Sequence, residues 1–198
     1  MQQPLATENS GIASRGDTVK NYVGSVEGLA GEIARAHGTP ALILDCDIVR
    51  STYAALARAL PEATLHYAVK ALPAPVFIQT LHSLGASFEV ASSGELELLK
   101  RLKVPTSQCI HTHPVKRPAD IAAGLAAGVS HFVFDCVDEL DKLAAFAPAH
   151  KVLLRVGYGH ADAMVQLANK FGCHPDEADA LIRAARDRGL TPDGVCFH

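Results

Sequence analysis

The sequence predicts an α/β protein of the (β/α)8 TIM-barrel kind, incomplete, with about six of eight barrel strands present. Three observations predict it. Short β-rich runs alternate with helical patterns along the chain. His66, Phe88, Ile110, Phe132 and Leu154 stand 22 residues apart at each step, the length of one strand, one helix and two short loops. No G-x-G-x-x-G or G-x-x-x-x-G-K-[ST] follows the first strand. Alternation demands parallel strands joined by helical crossovers. A doubly wound sheet and a barrel both satisfy that demand. The missing nucleotide loop and the unbroken period favour the barrel.

The β-rich runs, in order, are PALILD (40–45), LHYAVK (65–70), SFEVAS (87–92), CIHTH (109–113), HFVFDC (131–136), KVLLRV (151–156) and GVCFH (194–198). They are apolar almost throughout, as strands covered by helices should be. Between them, VFIQTLHSLG ends on Gly85, a good residue just past a helix end. GELELLKRLK, RPADIAAGLAAG and DELDKLAAFA carry apolar residues at helical spacing. The last helix is the clearest. Pro175 sits at its first position, Asp176 and Glu177 favour its first turn, and Ala178, Leu181, Ile182 and Ala185 form one face, with Gly189 and Pro192 beyond.

Composition narrows the function classes. The chain has 198 residues, a formal net charge of −3 and 48% hydrophobic residues. That is enough for a core and gives no electrostatic footprint for nucleic acid or an anionic membrane. The leader MQQPLATENSGIASRGD lacks an apolar segment, so residues 1–22 read as a flexible N-terminal leader and 23–198 as the barrel domain. Five widely spaced cysteines without C-x-x-C read as reduced thiols of a cytoplasmic protein.

In a barrel, chemistry gathers at the C-terminal ends of the strands. Lys70, Glu89, His111 or His113, Asp135, Arg155 and His198 stand there. Each has a plainer reading. Lys70 alone is an ordinary strand-end surface lysine. Glu89 and Arg155 can be an ion pair inside the barrel, compatible with a site role. Ser92 to Glu95 reads as a helix capping box, and Asp135 as a helix N-cap. His111 and His113 with Cys109 lack a second cluster at ligand spacing, so no metal is expected. GYGHAD (157–162) lacks a following helix signature and reads as a loop.

YAVKA, LGASFEVASSGELELL, GVSHFVFDCVDELDKL, LLRV, NKFG and GVCFH, in that order from about residue 38 to the end, resemble the fold-type III pyridoxal-phosphate enzymes. The chain is most similar to the ornithine/diaminopimelate/arginine decarboxylase group, whose barrel is of the alanine racemase-like type. KFG and P-x-GV-x-FH look most like ornithine decarboxylases. The resemblance implies pyridoxal 5'-phosphate as cofactor, held by a Schiff base on Lys70. Decarboxylation of a basic amino acid follows from it, ornithine to putrescine first, with lysine or diaminopimelate close behind. A strand end beside apolar neighbours favours the neutral, nucleophilic amine. By the same resemblance His198 stacks on the cofactor ring, Glu89 and Arg155 line the cofactor pocket, and Lys170 lies near a dimer interface. The partners implied are a small amino-acid substrate and a second subunit in a homodimer.

The chain departs from the family pattern at Leu72 and His113, each standing where the family has Asn. The resemblance also implies a glycine-rich phosphate loop, an acid for the pyridine nitrogen and a C-terminal β-domain beyond His198, absent from this chain. PALILD would pair with that domain. An open barrel edge exposes strand backbone and apolar surface. The polypeptide alone is therefore expected to be weakly stable, aggregation-prone and inactive. A non-catalytic decarboxylase-like binding or regulatory protein is the alternative. Retention of Lys70 and His198 speaks against it.

Overall fold

A computed structural model of the chain describes residues 26–146, 150–159 and 170–198. The leader expected over 1–22, and residues 160–162 of the GYGHAD loop, lie outside the described residues. Helix α1 (Val26–His37) leads to α2 (Cys46–Ala59), which Asp45 caps by accepting hydrogen bonds from the amides of Asp47 and Ile48. Five βα steps and a final strand follow: β1 (His66–Ala68), α3 (Pro75–Ser83), β2 (Ser87–Val90), α4 (Ser93–Arg101), β3 (Ile110–His111), α5 (Pro118–Ala126), β4 (His131–Phe134), α6 (Val137–Phe146), β5 (Lys151–Arg155), α7 (Ala178–Asp187) and β6 (Thr191–Cys196). The six strands form one parallel sheet in sequence order. That is the open-barrel order the sequence predicts.

PALILD corrects one expectation. Residues 41–45 form no strand, and Leu42 is 79% exposed. An extended apolar run becomes a strand only where a neighbouring strand accepts its backbone, and none of the described residues does so. Gly85 follows α3 with φ +87°, the left-handed setting that suits glycine at a helix end. Ser92 caps α4, its hydroxyl accepting from Glu95 N, but the expected capping box is displaced by one residue: Glu95 Oε2 accepts from Ala91 N at 2.8 Å rather than from Ser92 N.

The helix-facing side of the sheet is the core. Val90, His111, Phe132 and Val152 form one laterally paired row, and all four are fully buried. Phe88 and Phe134 join them. Burying a large apolar side chain of this kind is worth about 2–3 kcal/mol. The opposite side is the barrel interior. Its paired row, Ala68, Glu89, Ile110, His131 and Lys151, is half-buried to exposed.

Two polar devices tie the sheet together. At the bottom, Asp193 Oδ2 lies 2.7 Å from His131 Nε2 and 3.1 Å from Lys151 Nζ, so β6 bridges to β4 and β5. A register shift between Val152, paired with Pro192, and Leu153, paired with Gly194, leaves Asp193 as the extra residue of β6. Near the top, Lys116 is buried. Its ammonium donates to the carbonyls of His113 at 3.1 Å and Val133 at 2.5 Å and pairs with Glu139 at 2.9 Å. Burial pulls the Lys116 ammonium down from its ordinary value, and Glu139 opposes that. The five cysteines are unpaired. No helix among the described residues is long and apolar enough to cross a membrane.

Candidate active site

Lys70 does not end the strand as expected. β1 stops at Ala68, and Val69–Ala71 forms a single tight 3-10 turn with Val69 fully buried beneath it. The buried valine pins the turn, and the next residue is left outside. The Lys70 side chain is 61% exposed, and its Nζ lies 3.2 Å from Glu89 Oε1. The apolar setting expected for the amine is therefore not what the turn provides. Solvent and a carboxylate surround it.

Glu89 is positioned by register. It pairs laterally with Ala68 on one side and Ile110 on the other, which turns its carboxylate into the barrel interior. The same Oε1 also accepts a hydrogen bond from the Thr112 hydroxyl. Thr112 is held by its own amide, which donates to Val90 O at 3.2 Å. The sequence reading missed Thr112. Its only signal was its place one residue past β3, at the height of the mouth.

Arg155 ends β5 and pairs laterally with Cys196. It makes no ion pair with Glu89 among the described residues. Its guanidinium carbon lies 5.2 Å from the centre of the Phe171 ring. The Lys170 ammonium is 5.3 Å from the same ring, and His113 packs edge-on against it at 5.5 Å. Phe171 is therefore a hub that gathers two cations and an imidazole at the mouth. The KFG segment is docked by Asp135, whose Oδ2 accepts from Gly172 N at 2.9 Å. The carboxylate expected to cap α6 thus reaches across to a loop instead. Gly172 has φ +95°, and a Cβ there would fall 2.6 Å from Gly157 N. Only glycine allows this approach.

His198 lies two residues past β6 and is exposed. The structure brings Lys70, Glu89 and Thr112 into direct contact and puts Arg155 and Phe171 at the end of β5. His111 and His113 part ways, one in the core against Phe132 and the other on Phe171. A separate apolar cavity of about 570 Å³ lies between α2, α3 and β1, lined by Val49, Tyr53, Tyr67 and Phe77. None of Lys70, Glu89, Arg155 and His198 lines it.

The site can receive an aldehyde. A solvent-open primary amine at the mouth, a carboxylate and hydroxyl beside it, and a guanidinium on the same rim form a donor set that fits pyridoxal phosphate.

Comparisons with known proteins agree. Residues 46–198 match the pyridoxal-dependent decarboxylase family, pyridoxal binding domain. The lysine/ornithine decarboxylase of Selenomonas ruminantium is 40% identical over 166 residues, covering 84% of this chain and 42% of that relative. The lysine/ornithine decarboxylase from Vibrio vulnificus, solved with cadaverine, superposes with a TM-score of 0.79 at 42% identity over 89% of this chain and 46% of that one. The arginine decarboxylase of Paramecium bursaria Chlorella virus gives a TM-score of 0.81 at 30% identity, covering 86% of this chain and 47% of that one. The chain spans less than half the length of these relatives. The family match covers residues 46–198, more than half of the chain, and the chain belongs to the pyridoxal-dependent decarboxylases, by their pyridoxal-binding domain.

Proposed function

We propose that this chain contributes the lysine-bearing half of the site for decarboxylation of a basic amino acid, ornithine first, with lysine the competing substrate. One observation carries the reading: a lysine at the C-terminal mouth of a parallel sheet, its amine open to solvent and 3.2 Å from a carboxylate. Bound pyridoxal phosphate supplies an electrophilic aldehyde and a ring that takes up the electron pair left when CO2 departs. Lys70 presents the amine, which reacts only in its unprotonated form. Glu89 orients that amine and offers a place for its proton. Arg155 holds a fixed positive charge on the rim, steadied by the face of Phe171. His198 follows β6 on the same rim and is assigned to the cofactor ring. Residues 23–198 act as one barrel domain in this reading, and the assembled enzyme is a homodimer.

The family supports the reaction, and the relatives support the substrate class. The Selenomonas relative is named for lysine and ornithine, and the Vibrio structure holds cadaverine. The test is reductive trapping. The chain is mixed with pyridoxal phosphate, treated with borohydride and mapped by mass spectrometry. A secondary amine on Lys70, above every other lysine, is the expected result. Diffuse labelling, or none at Lys70, overturns the assignment. Release of putrescine or cadaverine by the complete enzyme then ranks ornithine against lysine.

A further inference from the structure

We propose that Thr112 is a positioning residue that keeps the Lys70 amine reactive by occupying the Glu89 oxygen to which that amine pairs. The inference deepens the proposed reading of this site and rests on it only for the identity of the electrophile. The geometry itself stands apart from any cofactor. Glu89 Oε1 accepts from two donors at once, the Lys70 ammonium at 3.2 Å and the Thr112 hydroxyl. These donors come from opposite neighbours of β2, one from the turn after β1 and one from the residue after β3.

The consequence is competition. A carboxylate oxygen has a fixed capacity for accepting hydrogen bonds. A hydroxyl donor on that oxygen draws on its charge and lessens what is left to hold an ammonium. Without Thr112, the Lys70–Glu89 pair tightens and the amine is held back from an incoming electrophile. With it, Glu89 is fixed in place yet holds Lys70 loosely. Lys70 is mostly exposed while Glu89 is only 23% exposed. The partner set of the carboxylate therefore decides how firmly a mobile lysine is retained. Thr112 has a backbone tie to Val90 but contributes its hydroxyl to no other described group.

The test measures the lysine directly. The full chain and its Thr112→Val variant are acetylated with a limiting amount of acetic anhydride at neutral pH. The rate at Lys70 is read by mass spectrometry against Lys103 and Lys151 in the same molecule. The expected result is a fall in Lys70 labelling of about threefold in Thr112→Val, the effect of about 0.6 kcal/mol, at the lower end for one hydrogen bond. The reference lysines do not change. Thr112→Ser keeps the donor and labels as the parent does. In a Glu89→Gln background, Thr112→Val has no further effect. Equal labelling of parent and Thr112→Val overturns the proposal. So does a Thr112→Ser variant that behaves like Thr112→Val, which would assign the role to side-chain volume. The two readings fail separately. Trapping of pyridoxal phosphate on Lys70 with no Thr112 effect removes this inference alone. A Thr112 effect without trapping on Lys70 keeps it and removes the cofactor assignment.

Discussion

His111 offers a sharp test of how the core is built. The side chain is fully buried, stacked on Phe132 with ring centres 5.8 Å apart, and neither ring nitrogen has a hydrogen-bond partner among the described residues. Burial, aided by the Lys116 charge, lowers its pKa from 6.5 to about 4. The sign follows from proton counts. Between these two values the unfolded chain binds a proton at this position and the folded chain does not. Stability from this residue is complete above 6.5 and is lost as pH falls towards 4. The whole gap is worth about 3 kcal/mol, and about 2 kcal/mol of it is gone by about pH 5. His111→Phe keeps the aromatic contact and removes both unpartnered nitrogens. The assay is urea unfolding of parent and variant at about pH 7.5 and about pH 5. Carboxylates and the other histidines titrate alike in both proteins, so the difference of differences isolates His111. The variant should lose about 2 kcal/mol less than the parent on acidification. Equal losses would refute the reasoning, because they would mean that His111 binds its proton as readily in the folded core as in the unfolded chain.

Glu139→Ala leaves the Lys116 ammonium buried with only carbonyl partners. It should cost about 3–5 kcal/mol, read as a lower urea midpoint, whereas a paired apolar replacement of both residues should be close to neutral. Gly172→Ala places a methyl against the backbone of Gly157 and strains a φ of +95°. It should cost about 1–3 kcal/mol locally, seen as faster amide exchange at Gly172 and Cys173, while the exchange of β1 and β2 stays unchanged.

Much of the fold was legible because the period carries more than strand count. Ladder partners are 21 residues apart from β1 to β4, as in His66 with Ser87 and Ile110 with His131. The recurring set His66, Phe88, Ile110 is 22 apart. Each step therefore climbs one residue along the next strand and changes face. That explains why Phe88 and Phe132 enter the core while His66 and Ile110 line the interior. Lys70 and Glu89 were legible for the same reason, since strand ends converge. Thr112 and Phe171 were not. Their importance lies in contacts across 23 residues, from Thr112 to Glu89, and from the segment after β5 back to Arg155, which no local pattern records. PALILD forms no strand within this chain because β propensity describes a side-chain surface, and a strand needs a backbone partner, which none of the described residues supplies.

The charge bridge at the start of β4, β5 and β6 has a wider consequence. It locks the end of the sheet away from Lys70 through one carboxylate shared by His131 and Lys151. At the opposite end the buried Lys116–Glu139 pair lies beneath the rim, and the rim residues themselves are held by the Phe171 ring, a glycine turn and single hydrogen bonds. Mutational tolerance is thereby divided along the length of each strand. Changes at Thr112, His113 or Phe171 alter the rim while the fastening at the far end persists. Side-chain lengths at the mouth can then change without first risking the sheet.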